Sequence, residues 1–504
     1  MTESGFVLAQ RLFELACVCV AAEITKEILV RAKNGLSEAG CRIIVCKPKM
    51  MNILIGFLLA ATALRALAGN GTILQSFQGA SGPGYKPCPD TSGAVGPKHV
   101  VDFEDGWFMV HEKATGRVLM QMTMSNFWMV VQPSNTLVLV KPNDPRMLYD
   151  PLSERWFASC ADDATQHRLY LAVSSSSDPT QPWKGIQTPF RSPDFGFRMG
   201  VDKNGFYGCW WNYQYTTGNT HIMMDGCAVP KADLIGASGP ELSHVNMFSN
   251  FEVESFPATD FNPNKALSDP EVFLNKQFPT NTTTGAITHL CLYRITWSSP
   301  ALATMSAVQL IPFHRTYWGP NGASANNQAK QPEPGSPLRA DEGRRTIGVF
   351  AYGGRVLGCN GAKDTISSRP GILWYDVRVS DGTLLQEGFV DDPNCDYTHP
   401  SLAVDAGGNI GLGCTRSSTN EYPSVYIMVH SANDPPGTTR PPVKAVSGTT
   451  YFRFARYKQI PWGNYSTTCI DPSDPTRFWT YQEYANSVSD GQWCTAWASF
   501  RLDP

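Results

Sequence analysis

The chain has 504 residues, which is enough to bury a large core, and its formal net charge of −3 predicts no strong attraction to nucleic acid or to an anionic membrane. Its 43 glycines and 37 prolines, with 11% aromatic and 17% charged residues, favour many short strands joined by turns. No run of like charge indicates a charged tail.

An apolar segment near the N-terminus has the layout of a secretory signal peptide. Lysines precede the apolar stretch 53–64, and the small residues at 66 to 68 predict cleavage after Ala68. A transmembrane anchor is the weaker alternative, because Arg65 interrupts the run short of the about 20 apolar residues that a span needs. We therefore predict a signal peptide at 50–68 and a secreted protein with no membrane span after cleavage. Since signals begin a chain, either the true start is at residue 50 or 51, or residues 1–49 form an extension of unknown role.

Cysteines and sequons agree with export. Four of the 14 cysteines precede the predicted cleavage site, and the remaining ten allow up to five disulfides in an oxidising compartment. No CxxC pair or Cys/His group has zinc-ligand spacing, which argues against a structural zinc site. Sequons at Asn70, Asn281 and Asn464 predict a glycoprotein if the host glycosylates.

Short segments that lead into alternating apolar positions recur through the rest of the chain. Most have a small, acidic or histidine residue and then Pro, which costs no ladder hydrogen bond at the first position of a strand. Five share this form, beginning at residues 95, 143, 268, 398 and 462, and two less regular ones begin at 195 and 344. A spacing of about 50 to 75 residues suits a four-stranded propeller blade with variable loops.

This pattern predicts an all-β protein with a single β-propeller at 94–504, after a Gly/Pro-rich lead-in at 69–93. Seven blades match the seven starts; six or eight blades stay open, and an array of two-sheet sandwiches is the structural competitor. We expect the last strand, 493–500, to complete a blade with a strand from near the N-terminus, because such closure protects sheet edges. Residues 319–343 are interpreted as a long surface insertion.

Residues 90–502 resemble a family of secreted, mostly uncharacterised bacterial-type β-propeller proteins near the sialidase-like propellers. The matching text includes AVGPKHVVDFEDGWFMVHEKATGRVL, DPRMLYDPLSERWFAS, GILWYDVR, HPSLAVDAGGNIGLGCTRSSTNEYPSVYI and PWGNYSTTCIDPSDPTRFWTYQEYA. The resemblance implies the propeller fold and brings no settled reaction with it.

Two positions depart from the family pattern Arg-Trp-Gly-Asp-Tyr, because this chain has Pro461 and Asn464 there. The loss of both charges weakens an acid, base or cation role at these positions. Compared with sialidases, the segment SSDPTQPW keeps the Asp and Trp of an Asp box but has Thr180 in place of Gly. Such boxes stabilise turns, so this partial match concerns the fold.

The strand starts place polar residues around one mouth of the predicted channel: Asp144, Asp269, His399 and Asn464. A ring of carboxylates and imidazole suits general acid/base catalysis. Its oxygen atoms also suit a calcium ion, which is the one cofactor that the sequence suggests. The plainer alternative is that Asp before Pro caps a turn through its side-chain oxygen.

A second set of aspartates recurs where the first strand of a blade turns into the second. These are Asp150, Asp405 and Asp471, and we interpret them as architectural turn residues.

Two further groups are candidates for the same face. Arg416, Glu421 and Tyr422 lie in a blade loop, where Arg suits a sugar carboxylate but a solvated loop is the plainer alternative. Aromatic and amide side chains that suit stacking on sugar rings, or that mark the channel end, are Trp210, Trp211, Tyr213, Trp462, Asn464 and Tyr465. Blade packing is the alternative for these aromatics.

No GxGxxG, Walker, HExxH or GxSxG motif is present, which argues against nucleotide, zinc-protease and α/β-hydrolase chemistry. Two hypotheses remain. In one, the protein engages a polysaccharide or glycoconjugate as a glycosidase or polysaccharide lyase at the channel mouth. In the other, it is a non-catalytic propeller that binds glycans or proteins at the cell surface.

Overall fold

The computed structural model describes residues 69–82, 88–131, 141–162, 168–191, 197–216, 219–251, 255–277, 286–318, 328–340, 348–363, 369–458, 460–487 and 489–503. The N-terminal extension, the predicted signal peptide and the sequon at Asn281 lie outside these ranges. Within them, no helix has the length and apolar character needed to cross a membrane.

The described chain forms a seven-bladed β-propeller, as predicted. Its first strand, β1 (Gly71–Ser81), belongs to the last blade. In each of the next three sheets, the strands follow chain order from the propeller axis outward. Blade 1 contains β2 (Ser92–Val95), β3 (His99–Glu104), β4 (Trp107–Glu112) and β5 (Val118–Thr123). Blade 2 contains β6 (Pro142–Asp150), β7 (Arg155–Asp162), β8 (Arg168–Ser174) and β9 (Trp183–Arg191). Blade 3 contains β10 (Arg198–Val201), β11 (Gly205–Thr216), β12 (Asn219–Pro230) and β13 (Asn246–Phe251).

The remaining sheets repeat this order with one extra strand in blade 4. Blade 4 contains β14 (Phe256–Pro257), β15 (Glu271–Gln277), β16 (Ala286–Ser299), β17 (Leu302–Met305) and β18 (Gln309–Trp318). A short ribbon of β19 (Gln328–Ala329) and β20 (Leu338–Arg339) follows. Blade 5 contains β21 (Val349–Tyr352), β22 (Arg355–Ala362), β23 (Gly371–Arg378) and β24 (Leu384–Val390). Blade 6 contains β25 (Asp396–Val404), β26 (Ile410–Ser418), β27 (Glu421–His430) and β28 (Val443–Val446). Blade 7 contains β29 (Thr467–Asp471), β30 (Asp474–Tyr484), β31 (Cys494–Leu502) and β1.

Two short helices accompany the sheets. They are α1 (Met124–Val131), after blade 1, and α2 (Lys231–Ile235), between β12 and β13. Helix α1 buries Phe127 and Trp128 against blades 1 and 2, so tertiary packing rather than propensity stabilises it.

The innermost strands contact one another around the axis. Between blades 4 and 5, Thr259 and Phe350 form a parallel bridge, which shows that neighbouring inner segments run in the same direction. All inner strands therefore begin at one end of the axis, called here the strand-start end. They turn into the second strands at the other end, called here the hairpin end.

The N- and C-terminal strands close the ring, as predicted, because β1 pairs with β31 in antiparallel register. Buried Asp102 of blade 1 connects its blade to the two closing strands by hydrogen bonds. Its carboxylate accepts hydrogen bonds from Ala80 N at 3.0 Å and from Trp497 Nε1 at 2.6 Å, and it contacts His111 Nε2 at 3.0 Å. The predicted lead-in 69–93 is thus wrong for residues 71–81, which complete blade 7.

Apolar side chains fill the space between neighbouring blades. Phe103 of blade 1 shares a buried cluster with Trp156 of blade 2, and Trp374 of blade 5 shares one with Leu412 of blade 6. This arrangement buries both faces of each sheet, which explains the long runs of buried positions in second and third strands.

Two of the predicted strand starts mark second strands instead of inner ones. The segment at 95 leads into β3, which begins at His99, and the segment at 268 leads into β15, which begins at Glu271. A proline before apolar alternation can begin any strand, so this signal does not separate the inner strand from the second strand. The segments at 143, 195, 344, 398 and 462 do lead into inner strands.

The cysteines of the described chain are thiols and no disulfide joins them, so the prediction of up to five disulfides is wrong for these ten residues. Burial raises the pKa of several of them, including Cys160 and Cys227. Small apolar packing explains such cysteines. Secretion stays a prediction.

Candidate functional site at the strand-start end of the axis

Four residues near the starts of inner strands share an uncommon backbone conformation. Asp90, Asp144, His399 and Asn464 have φ angles of 53°, 53°, 50° and 63°. This left-handed conformation costs a non-glycine residue about 1–2 kcal/mol. The four residues belong to blades 1, 2, 6 and 7, which are consecutive around the axis. Strained residues of this kind persist only where surrounding groups hold them, and they concentrate at functional sites.

The sequence predicted this equivalence for Asp144, His399 and Asn464, and it missed Asp90. Asp269 was placed in the same ring, which is wrong. It is exposed in the loop before β15, the second strand of blade 4, where its carboxylate accepts a hydrogen bond from Ala266 N at 2.9 Å. Strand β14 itself carries no acidic residue, and residues 252–254, which precede it, lie outside the described ranges.

Arg146 is the cation of this site. It is two residues after Asp144 on β6, and its Nη2 lies 3.3 Å from Asp144 Oδ1. Its guanidinium carbon lies 3.4 Å from the ring centroid of Tyr465, a cation–π contact. Burial alone would lower the pKa of Arg146, but Asp144, Tyr465 and Asp90 together raise it. Arg146 therefore stays charged although its side chain is only 8% exposed.

Blade 7 supplies the other half of the site. Asn464 Nδ2 donates to Asp90 Oδ1, and the preceding Gly463 N donates to Glu483 Oε2 at 2.5 Å. Gly463 has φ of 70°, and a Cβ there would lie 2.7 Å from His399 Cδ2, so glycine lets the loop contact the imidazole. The axial polar cluster is defined as Asp90, Asp144, Arg146, His399, Asn464, Tyr465 and Glu483.

Glu483 is the acid with the most perturbed environment in the axial polar cluster. Burial raises its pKa well above its usual range; the hydrogen bond from Gly463 lowers it, and Asp90 raises it further. Its Oε1 has no hydrogen-bond partner among the described residues. Burial therefore favours the protonated form of Glu483.

A second protonated acid lies nearby on blade 1. Burial raises the pKa of Glu104 well above its usual range, and Asp102, Asp105 and Glu483 raise it further. Tyr481 OH donates to Glu104 Oε2. The strand-start end thus combines neutral carboxylic acids with carboxylates that face a cation.

The residues present do not fit a calcium site. Nitrogen donors already occupy the carboxylates, since Arg146 faces Asp144 and the Asn464 amide nitrogen faces Asp90. In the described part of the chain, no group of three or more His, Cys, Asp or Glu residues is arranged to hold a metal ion. Asn464 is also half-buried in this contact, so its sequon does not present an open amide for glycosylation.

Two inter-blade segments cross the strand-start end, because each links the outermost strand of one blade to the inner strand of the next. They are residues 328–340, before blade 5, and 447–466, before blade 7. Leu338 and Ile460 form a parallel bridge between them, and Gln331 Nε2 donates to Phe452 O at 2.9 Å. These segments bury the axial polar cluster from this side.

Arg416 and Glu421 form a separate group at the end of blade 6. Arg416 Nε lies 2.8 Å from Glu421 Oε2, and Lys444 Nζ lies 2.8 Å from Glu421 Oε1. Tyr426 packs under the guanidinium at 3.9 Å. Tyr422 is half-buried, and its carbonyl accepts a hydrogen bond from Ser424 Oγ at 2.7 Å. These groups are paired within their own blade, so a catalytic role for them stays a prediction.

The predicted aromatic platform for sugar rings is wrong. Trp210 is 3% exposed and stacks on Phe190 at 4.5 Å, and Trp211 is 6% exposed. Trp462 is fully buried against Phe452. Tyr213 lies in β11, where the structure describes its backbone only. Tryptophans between blades pack the core, and sequence composition does not separate this use from ligand stacking.

A cavity of about 280 Å³ lies along the axis between the two ends. Inner strands of several blades line it, and Arg146, Ser401 and Ser466 lie at its strand-start side, whereas Pro151, Pro472 and Pro475 lie at its hairpin side. Its walls are otherwise mainly apolar. Arg146 thus belongs both to the axial polar cluster and to the cavity wall.

Sequence reasoning missed Arg146 and Asp90. For Arg146 a signal existed, because residues two apart on a strand face the same side, and Asp144 was already a candidate. For Asp90, the inner strand of blade 1 was assigned one strand too late, which removed the preceding residues from consideration.

No family model matches the sequence, and no curated protein matches it. Solved structures with a similar fold include a variant of the Synechocystis apocarotenoid oxygenase, with 13% identity over 70% of this chain and 71% of that chain and a TM-score of 0.39. A lignostilbene dioxygenase from Pseudomonas brassicacearum has 12% identity over 75% and 74% of the two chains and a TM-score of 0.39. A polysaccharide lyase of family PL25, an ulvan lyase, has 10% identity over 71% and 83% and a TM-score of 0.36. Such distant likenesses carry no argument about activity, and no sequence match supports the sialidase-like family.

Proposed function

We propose that the protein is a carbohydrate-active enzyme that hydrolyses glycosidic bonds at the axial polar cluster. The observation that carries this proposal is that Glu483, whose pKa burial raises well above its usual range, lies with Asp90 and Asp144 at one end of the axis. Carboxyl groups with opposite protonation states are what glycoside hydrolysis needs as general acid and as base or nucleophile.

Each residue has a role in this proposal. Glu483 protonates the leaving oxygen through Oε1, the atom with no partner among the described residues. Asp144 or Asp90 activates water or attacks the anomeric carbon. Arg146 contacts Asp144 and holds it in place, which makes Arg146 a positioning residue.

Charge favours hydrolysis over lyase chemistry. A lyase must neutralise a uronate carboxylate with a cation, but the acidic residues of the axial polar cluster outnumber Arg146. An additional carboxylate from a substrate would be repelled. An uncharged glycoside therefore fits better than a polyuronate.

The test is a screen of the full chain against neutral and uronate-containing glycosides, in which released reducing ends and unsaturated uronates are measured separately. We expect release of reducing ends from neutral glycosides, at least about 100-fold slower in Glu483→Gln, since a general acid contributes about 10²–10⁴-fold. Glu241→Gln, at an exposed position on blade 3, is the matched control and should retain the rate.

Two results would overturn the proposal. One is glycan binding without cleavage that persists in Glu483→Gln; this would assign the alternative, a non-catalytic binding propeller. The burial of the axial polar cluster under residues 447–466 favours that second candidate. The other is product containing unsaturated uronates, which would assign a lyase.

A further inference from the structure

The axial cavity is a separate feature with its own chemistry. Its apolar wall comes from inner strands and the segments beside them, and includes Met147, Met199, Phe256, Val349, Phe350 and Ile470. An apolar enclosure of this kind takes up apolar ligands, as an engineered cavity of about 150 Å³ binds benzene. The volume of about 280 Å³ is close to twice that, so it suits a bicyclic molecule.

A cation lies in the wall of the cavity. Arg146 lines the cavity, and its side chain is 8% exposed. The hydroxyl groups nearby are already engaged, because Ser466 Oγ donates to His399 O at 2.8 Å and lies 2.9 Å from Ser401 Oγ. A guanidinium has several N–H donors and no acceptor, so an oxygen of a ligand that contacts Arg146 accepts a hydrogen bond from it.

The charge around Arg146 sets the type of acceptor. Asp144 already faces the guanidinium at 3.3 Å, and Asp90 lies close enough to raise the pKa of Arg146. An anionic ligand would meet these carboxylates as well as the cation. A neutral oxygen, such as a ketone or lactone carbonyl, accepts the hydrogen bond without that repulsion.

We propose that the axial cavity binds a small, uncharged, mainly apolar molecule of bicyclic size whose single carbonyl or ether oxygen accepts a hydrogen bond from Arg146. This site does not depend on glycoside hydrolysis. It adds a ligand class that the acid pair at Glu483 does not predict, and it occupies the hairpin side of Arg146, away from Gly463 and Glu483.

The test is isothermal titration calorimetry of the full chain with three probes of similar size: coumarin, naphthalene and naphthoate. We expect coumarin to bind one site per chain. Naphthalene, which lacks the oxygen, should bind about tenfold more weakly or worse, as expected for the loss of a hydrogen bond to a charged donor. Naphthoate should bind more weakly than coumarin because of its charge.

Variants locate the binding site. Met147→Phe fills the cavity and should abolish coumarin binding while circular dichroism stays that of the wild type. Met129→Phe is the matched control, because Met129 is 71% exposed on α1, and it should bind coumarin like the wild type. Arg146→Lys keeps the charge but not the guanidinium Nε, and it should reduce the preference for coumarin over naphthalene.

Each contrary result overturns a stated part of the proposal. Equal binding of naphthalene and coumarin would remove Arg146 from recognition. Tightest binding of naphthoate would contradict the argument from charge. No binding by any probe, or coumarin binding that persists in Met147→Phe, would overturn the cavity as the site. None of these results depends on whether glycosides are cleaved.

Discussion

At the hairpin end, aspartates accept hydrogen bonds from backbone N–H groups of their own turns, and two of them, Asp150 and Asp471, also pair with lysines. At the strand-start end, Asp144 and Asp90 face side chains of the axial polar cluster. Asp405 Oδ1 accepts from Gly407 N and Asn409 N, both at 2.8 Å, and Asp150 and Asp471 make the same kind of contact. Asp144 instead has a strained backbone and faces Arg146. The same residue type at opposite ends of one strand therefore serves architecture at one end and a polar site at the other.

The two ends also differ in whether their buried polar groups have hydrogen-bond partners. The carboxylate oxygens of Asp405 have backbone or side-chain donors at 2.8 Å. In the axial polar cluster, Glu483 Oε1 and Arg146 Nε have no partner among the described residues. Satisfied groups stabilise a fold, whereas a buried polar group without a partner costs stability.

The largest predicted effect concerns the strand-start end. Arg146→Met should lower the free energy of unfolding by about 3–5 kcal/mol, because removal of one member of a buried ion pair leaves uncompensated charge on Asp144 and Asp90. Urea denaturation followed by circular dichroism measures this. The double variant Arg146→Met with Asp144→Asn should lose less than the sum of the single losses; additive losses would show that the two groups do not interact.

At the hairpin end, Asp405→Ala should cost about 1–3 kcal/mol, because buried N–H groups of the turn lose their acceptor. The same denaturation assay applies. Asp392→Ala removes a comparable single turn bond, to Asn394 N, at a more exposed position and should cost less. Neither change should alter coumarin binding, and altered binding in Asp405→Ala would contradict the separation of the two ends.

The pH dependence of stability should distinguish Glu483 from an ordinary surface acid. Burial raises the pKa of Glu483 in the folded state, so the folded chain keeps a proton that the unfolded chain releases above about pH 4.3. Its contribution to stability therefore falls as pH rises from that value toward the folded-state pKa. Glu483→Gln removes this fall, so stability relative to the wild type should rise between about pH 4 and about pH 7.

Glu421 provides a control, because its effect on the pH dependence of stability has the opposite sign. Burial alone would raise its pKa, but Lys444, Tyr426 and Arg416 lower it, so its contribution is present above the unfolded pKa and is lost as pH falls. Glu421→Gln should therefore lose stability relative to the wild type as pH rises toward about 4.3, and its curve should run parallel to that of the wild type above this value. Parallel curves for the two variants would contradict a protonated Glu483.

The smallest predicted effect tests backbone strain. Glu154, in the turn between β6 and β7, has φ of 53°, and Glu154→Gly should change stability by no more than about 1 kcal/mol, toward a gain, because glycine adopts this angle without strain. His399→Gly relieves the same strain but removes a buried imidazole that packs on Gly463, so it should destabilise. Thermal unfolding measures both, and a gain in His399→Gly would show that its ring contributes nothing to packing.

Much of the fold followed from short-range patterns. The segment that begins at Trp462 was predicted to start a strand, and it leads into β29 and β30 after a strained turn. Turn aspartates such as Asp471 were also assigned correctly, because their bonds are made within a few residues. Errors arose where the same local pattern is compatible with two structural roles. A Pro-led segment begins either an inner or a second strand, as before β15, and tryptophans serve either core packing or ligand stacking, as in β11.

The sequence by itself determined the all-β class, the propeller repeat, the closure by terminal strands and the turn residues, since all of these depend on periodicity and local hydrogen bonds. Only the tertiary structure decided which acids share the axial polar cluster. Asp90 and Asn464 lie far apart in the chain, as do Arg146 and Tyr465, and ring closure brings each pair into contact. The burial that keeps Glu483 protonated depends likewise on the segments that cross the axis, which no local pattern specifies.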